Sequence, residues 1–375
     1  MKFSALPLTL TILSLVTLIA GTGETTGSAR MLGLSGETRK WLSYAFLGTM
    51  VDALDVVLTS VMPDRRPQRS IAVSKHHSLP HYISSTYPLV RMCLQPSDID
   101  KLSDEEILEL AEKAPKVHPD AAVLRLTSNT VAKPSQDLDD DVEDASEANT
   151  LNLLFAETTI PVPRVRRVIK RQWDFLVVMD YIPGSTLAQA WPTLSTWQKI
   201  RMAFTLRRYI RQLRRLKASA TTPPGPLSSY GPRSCESPIF GQVQSRRGPF
   251  ASYSELSTFF NKRHQMAMDI RKLSQDDPAR KDLFDNSEPL VLTHQDLNLR
   301  NILVDENYRL WIIDWAWAGY YPPWFEYVAM QRQNEDEVIS GTNDEFWRKL
   351  IPFICGPYVR QERWLGRMSP ALYYA

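Results

Sequence analysis

The sequence predicts an α+β chain of two lobes: a small β-rich N-lobe and a larger helical C-lobe, with a cleft where they meet. Three observations predict it. The 375 residues are enough for two lobes and a large core. The elements run helix, short strands, helix, buried strand, then a long and mainly helical stretch. Near residue 300, the apolar runs "NILV" and "LWIID" alternate with isolated polar residues, His294, Asp296, Asn301 and Asp314.

The chain opens with Lys2, an apolar stretch from Ala5 to Ala20, and the small-residue run "GTGETTGSA". That is the layout of a secretory signal, and it is short for a membrane span of about 20 residues. Residues 1–30 therefore read as a signal-like or anchor-like segment, with membrane contact only if it is retained. Residues 31–102 read as a partly helical extension. Within it, residues 37–61 form an amphipathic helix that Asp52 and Asp55 keep from being a span, while residues 65–100 are irregular. His76, His77 and His81 are loop residues, with no ligand partner at metal spacing.

The small lobe and its connector follow at residues 103–182. Ser103 with Glu106 three residues on is a capping box that starts a helix. "AAVLRL" and "NTVAKPS" are β-type runs around a Ser-Asn turn. The acidic "DLDDDVEDASEAN" supplies a solvated loop and the first turn of the helix "ASEANTLNLLFAET", where negative charge suits the helix dipole. Pro161 and Pro163 make "IPVPRV" an extended connector. "FLVVMDYIPG" is a buried strand running into a Pro-Gly turn. The helical lobe, residues 183–375, is helical to about 219. A loop rich in Pro, Gly and Ser comes next, then helices at about 253–273, the strand–loop–strand around residue 300, and a late helix at "NDEFWRKLIPFI". There are no internal repeats.

Composition narrows the classes. A hydrophobic fraction of 43% with 23% charged residues is that of an ordinary globular protein, and a net charge of +2 provides no field for nucleic acid. The basic run from Arg207 to Lys217 carries apolar residues at helical spacing, so it reads as a helix with one buried face. Three scattered cysteines form no metal pair and no even disulfide set, and no glycosylation sequon occurs. These features suit a cytoplasmic chain, in tension with the N-terminal segment.

The polar residues near 300 fit one chemistry. A transferred phosphoryl group needs positioning and charge neutralisation more than covalent chemistry. His294, Asp296 and Asn301 read H-x-D-x-x-x-x-N. Asp296 lies on a loop where it can accept a hydroxyl proton. "ILV", the turn "DENYR" and "LWIID" form a hairpin that returns Asp314 beside Asn301, so that two oxygen ligands suit a hard cation. The apolar runs are the rigid frame that holds these groups.

This stretch, "HQDLNLRNILV" with "IIDWAWAGYYP", resembles the aminoglycoside phosphotransferase family, in its fungal-type members, within the protein-kinase-like superfamily. The resemblance covers about residues 103–360. It implies an ATP- and Mg2+-dependent transfer of the γ-phosphate to a hydroxyl of a small molecule. Asp296 would be catalytic, and Asn301 and Asp314 metal ligands. Lys133, in "TVAKPS", would grip phosphate and pair with Glu147. Met179, Asp180, Tyr181 and Ile182 would meet adenine through the hinge backbone, the Asp180 side chain facing solvent. His294 would brace its loop, and Trp311, Trp315 and Trp317 would line the core and cleft. No glycine-rich loop precedes Lys133; "LTSNT", with Ser128 and Asn129 at its tip, takes the place of the phosphate loop. Ala316 replaces the family's usual acid after "IIDW". These departures motivate the alternative of a pseudokinase that binds nucleotide or a partner without turnover. A protein kinase is disfavoured because no A-P-E-type segment follows Asp314. For a polycationic acceptor, Glu326 and the "NEDE" run at 334–337 are the candidate acids.

Overall fold

The computed structural model describes residues 96–374 apart from 120, 136, 138, 140, 141, 242, 244–246 and 340–343. The signal-like segment, the helix expected at 37–61 and the three clustered histidines lie outside the described residues. No helix among the described residues is long and apolar enough to cross a membrane.

The small lobe is a four-stranded antiparallel sheet. Its strands are β1 (Leu124–Arg125), β2 (Thr130–Pro134), β3 (Val165–Lys170) and β4 (Phe175–Asp180), in the order β1-β2-β4-β3. Alternation along β4 divides its side chains between two cores. Leu176 and Val178 join Ala132, Ile169 and the helix α1 (Asp104–Lys113) on one face. Phe175, Val177 and Met179 join Val131 and the helix α2 (Ser146–Glu157) on the other. The predicted capping box is formed: Glu106 N–H donates to Ser103 Oγ at 3.2 Å, and Ser103 N–H donates to Glu106 Oε2 at 2.8 Å. Residues ahead of 103 also belong to this lobe. Ile99 is 2% exposed in the α1 core, and Ser97 Oγ donates to Asn129.

β3 is a strand where the sequence reading placed only a connector and the run beyond it. It is an edge strand with a single fully buried residue, Ile169, so alternation had little to act on. Two of its arginines find acids instead: Arg166 pairs with Asp100 at 2.7 Å, and Arg167 pairs with Asp104 at 2.7 Å.

The helical lobe comprises α3 (Leu187–Ala190), α4 (Thr196–Leu213), α5 (Tyr253–Ile270), α6 (Trp324–Ile339), α7 (Glu345–Cys355), α8 (Val359–Arg367) and α9 (Ser369–Tyr374). Of these, α6, α8 and α9 were not read from the sequence. The same lobe holds two small antiparallel sheets. One orders β5 (Ser185–Thr186), β7 (Ile302–Val304) and β8 (Leu310–Ile312); the other pairs β6 (Val291–Thr293) with β9 (Gly319–Tyr321). The core is aromatic: Phe260, Phe284 and Phe325 pack with Trp324 and Trp364. The basic run on α4 has the expected buried face, with Leu206, Ile210 and Leu213 inside. It also has a second use. Arg207 and Arg214 donate to the Phe353 and Cys355 carbonyls at the end of α7, where the helix dipole favours cations.

Ile107 is fully buried between α1 and the sheet. Ile107→Ala is expected to cost about 2–5 kcal/mol in urea unfolding. An unchanged midpoint would mean that α1 is not part of the small-lobe core.

Candidate active site

Lys133 stands two residues from Val131 on β2, so it points to the face covered by α2. There its Nζ donates to Glu147 Oε1 at 3.0 Å and to Asp314 Oδ1 at 2.6 Å. Both Lys133 and Glu147 are buried. Trp315 N–H also donates to Glu147, at 3.0 Å. One buried cation thus joins a helix of the small lobe to a hairpin end of the helical lobe. Burial alone would lower the Lys133 pKa, but Glu147 and Asp314 raise it well above the usual lysine range. Burial pushes the Glu147 carboxyl up, and the nearby Asp314 charge adds to this against the opposing Lys133 charge. Burial would raise Asp314 too, yet the Lys133 charge and hydrogen bond outweigh it and hold that carboxyl below its ordinary range.

The hairpin forms as the residues demand. Asp305 accepts from the N–H groups of Asn307 and Arg309, each at 2.9 Å, and from Trp311 Nε1 at 3.1 Å, which closes the turn. Ile302 lies opposite Ile312, and Ile313 N–H donates to the Asn301 carbonyl at 3.0 Å. Asn301 and Asp314 therefore leave the hairpin at the same end. Four residues, 315–318, separate Asp314 from β9, which leaves no room for a long loop.

Asp296 sits on the turn between β6 and β7. Its carboxylate accepts from Asn298 Nδ2 at 3.0 Å and Asn301 Nδ2 at 2.7 Å. Burial and the Asp314 charge push its pKa up to about 7, against the opposing hydrogen bond of Asn301. His294 braces the turn. Its Nδ1 accepts from Asp296 N–H at 3.1 Å, which leaves Nε2 to donate to the Ile313 carbonyl at 3.0 Å. That bonding needs a neutral ring, and burial lowers the His294 pKa to about 4. Gln295 and Asp314 adopt φ of 70° and 62°, the left-handed region that side chains other than glycine rarely occupy. Both backbone bends flank the His294 bridge.

Glu326 holds the turn from beneath, and this role was missed. Its Oε2 accepts from His294 N–H at 2.5 Å, and the residue is 2% exposed at the start of α6. The sequence reading made it an acceptor-binding acid. Burial under the loop corrects that. A lone acid in the apolar run "PPWFEYVAM" was the available signal, since a buried charge needs partners. Asn334, first of the "NEDE" run, is also buried.

Three other expectations change. The turn at Ser128 and Asn129 lies at the wrong end of β2 for a phosphate loop. Thr130 faces Asp180 while Lys133 faces Val177, so the turn is about 10 Å along the strand from Lys133. The Asn129 carbonyl accepts from Tyr181 N–H at 2.9 Å, against the hinge. At the Lys133 end lies the hairpin closed by the Lys116–Leu124 bridge and by Val117 N–H to the Val123 carbonyl at 2.9 Å. Second, the Asp180 side chain pairs with Arg166 and does not face solvent freely; burial pushes its carboxyl up. Third, the hinge N–H groups of Asp180 and Tyr181 already donate to the Arg164 and Asn129 carbonyls. Met179 lies within β4, paired with Val131, and Ile182 is buried at the end of the hinge. Ala316 is buried and its N–H donates to the Asp314 carboxylate. Trp311 and Trp315 are buried as expected, and Trp317 is half-buried.

A strand lysine paired with a helix glutamate, facing an H-x-D-x-x-x-x-N turn and an aspartate after a hairpin, defines a kinase-like phosphotransferase. The chain belongs to the phosphotransferase enzyme family APH, whose model matches residues 118–350, more than half of the sequence. Among solved structures it is similar to aminoglycoside phosphotransferase APH(3'')-Id from Streptomyces rimosus, with 15% identity, 72% of this chain and 100% of that one covered, and a TM-score of 0.38. It is also similar to aminoglycoside phosphotransferase APH(4)-Ia (12% identity, 72% and 96% covered, TM-score 0.37). Macrolide 2'-phosphotransferase MphH from Brachybacterium faecium gives 16% identity, 70% and 88% covered, and a TM-score of 0.37. No curated protein matches the chain.

Glu326 generates a pH prediction. Burial pushes its pKa up to about 7 in the fold, against 4.5 unperturbed. A carboxyl that holds its proton longer when folded favours the fold at low pH, and that contribution is lost as pH rises through about 7. The loss amounts to about 3 kcal/mol. Urea midpoints at pH 5 and pH 8 should therefore differ less in Glu326→Gln than in the parent. Equal differences would show that Glu326 does not titrate in this way.

Proposed function

We propose that the protein transfers the γ-phosphoryl group of ATP to a hydroxyl of a small molecule. One observation carries the reading: Lys133 reaches both Glu147 and Asp314, while Asn301 ties Asp296 to the same hairpin end. In this reading Asp296 accepts the proton of the attacking hydroxyl. Its two oxygens are held by Asn298 and Asn301, which fixes the direction of the free lone pairs. Lys133 neutralises phosphate charge, and Glu147 keeps its Nζ in place. An adenine edge would meet the hinge beyond Tyr181, at the Ile182 backbone, since the two preceding amides are taken.

The donor set suits Mg2+. Asn301 commits its amide nitrogen to Asp296, which turns its oxygen outward, and the Asp314 side chain stays 41% exposed. Two oxygen donors at one hairpin end fit a hard cation. When bound, Mg2+ would shield the charge that builds on the transferred group. A small-molecule acceptor is favoured over a protein by the short 315–318 connection, which has no room for a peptide-docking segment.

Mg·ATP turnover, measured as phosphate release against a panel of hydroxylated metabolites, tests the proposal. Asp314→Asn is expected to lower it by about 100-fold or more; full activity in that variant would overturn the metal assignment. No turnover in the parent with any acceptor would leave the nucleotide-binding pseudokinase. Because the Asp296 carboxyl titrates near 7, its basic form is lost in acid. Below pH 7, kcat/KM should fall about tenfold per unit. A flat profile from pH 5 to 8 would remove Asp296 as the base.

A further inference from the structure

Between α4 and α5 the helical lobe extends a loop whose stretch 227–236 crosses to the small lobe. There it meets the residues that lead into α2. Asn149 Nδ2 donates to the Leu227 carbonyl at 3.1 Å. Ser228 Oγ and Ser229 N–H donate to the two Asp144 carboxylate oxygens at 2.9 and 2.8 Å. Arg233 donates to the Asp144 carbonyl at 2.8 Å and also to its carboxylate. Its other nitrogen lies 3.6 Å from Asp137, and Ser234 N–H donates to Asp139 at 2.8 Å. Arg233 is only 6% exposed.

The loop is fastened to its own lobe just ahead of this stretch and at its end. Gly225 exchanges two backbone bonds with Tyr320 on β9, at 3.1 and 2.9 Å. Gly319 permits this approach, because a Cβ there would collide with the Gly225 carbonyl. Cys235 N–H donates to the Arg247 carbonyl at 2.8 Å, and Arg247 donates to the Glu236 carbonyl at 2.5 Å. α2 has no side chain capping its first turn; Ala145 holds the N-cap position. The place of a cap is taken by Asp144 with its partners, three residues ahead of Glu147, and by Ser146 Oγ bonded to Asp137 at 2.8 Å.

We propose that Asp144 and Arg233 are positioning residues: this strap sets the start of α2 from the helical lobe and so aims Glu147 at Lys133. The strap then joins the lobes in addition to the hinge and the Lys133–Asp314 contact, and the Arg233–Asp144 pair must part before the start of α2 can move away from the helical lobe. The consequence for nucleotide binding rests on the function proposed above, whereas the mechanical claim does not.

Hydrogen exchange followed by mass spectrometry on the full chain separates the two. In Arg233→Met, amides of residues 146–152 should exchange at least tenfold faster, while β4 and α4 keep the parent's rates. Arg233→Lys should restore part of the protection, since a single cation still reaches Asp144. Affinity for Mg·ADP should fall at least fivefold in Arg233→Met. Unchanged exchange at 146–152, or acceleration spread equally over both lobes, overturns the strap. Faster exchange confined to α2, in a parent that does not bind Mg·ADP, upholds the strap and removes the nucleotide reading. Should Arg233→Met fail to fold, Ser228→Ala with Asp144→Asn gives the same comparison on the partner side.

Discussion

The buried ammonium of Lys133 is the constraint on which the rest depends. A charge out of water is tolerated only when it is paired and hydrogen-bonded. Here the pairing comes from both lobes at once, through Glu147 on α2 and Asp314 at the end of the β7–β8 hairpin. Burial pushes the Glu147 carboxyl up, with the Asp314 charge adding to it against Lys133, while at Asp314, the more exposed partner, the Lys133 charge and hydrogen bond outweigh burial and hold the carboxyl down.

Around that point the helical lobe builds a turn under several independent restraints. His294 ties the Asp296 turn to Ile313, one residue before Asp314, and its two nitrogens are both committed. Glu326 pulls the backbone of His294 from below. The strained left-handed bends at Gln295 and Asp314 lie on either side of this bridge. Bends of that kind persist only where surrounding contacts over-determine them. The aromatic core beneath α6 supplies the rigidity against which Glu326 acts.

The motif and its hairpin were legible because they are local: turn chemistry at Asp305, two apolar runs and fixed spacing bring Asn301 and Asp314 to one end. The α1 capping box and the β2 and β4 strands were legible for the same reason. Strand β3 was not, because an edge strand buries too little to show a period. The Ser128–Asn129 turn, expected to stand in for a phosphate loop beside Lys133, lies at the other end of β2. A Ser-Asn turn signals a bend but says nothing of where the bend lies once β2 pairs with β4. Glu326 was read as a candidate acceptor-binding acid because its burial depends on a turn 32 residues away in sequence.

From the sequence alone came the chemistry-bearing residue types, their spacing and the membership of a two-lobed phosphotransferase class, since each rests on short-range pattern. Tertiary structure alone decided which acids are buried partners and which stay open. It also placed the Ser128–Asn129 turn against the hinge and laid the loop of residues 227–236 across to α2. The physical reason is that burial and pairing between distant segments depend on which surfaces meet, and no local period of apolar residues encodes that meeting.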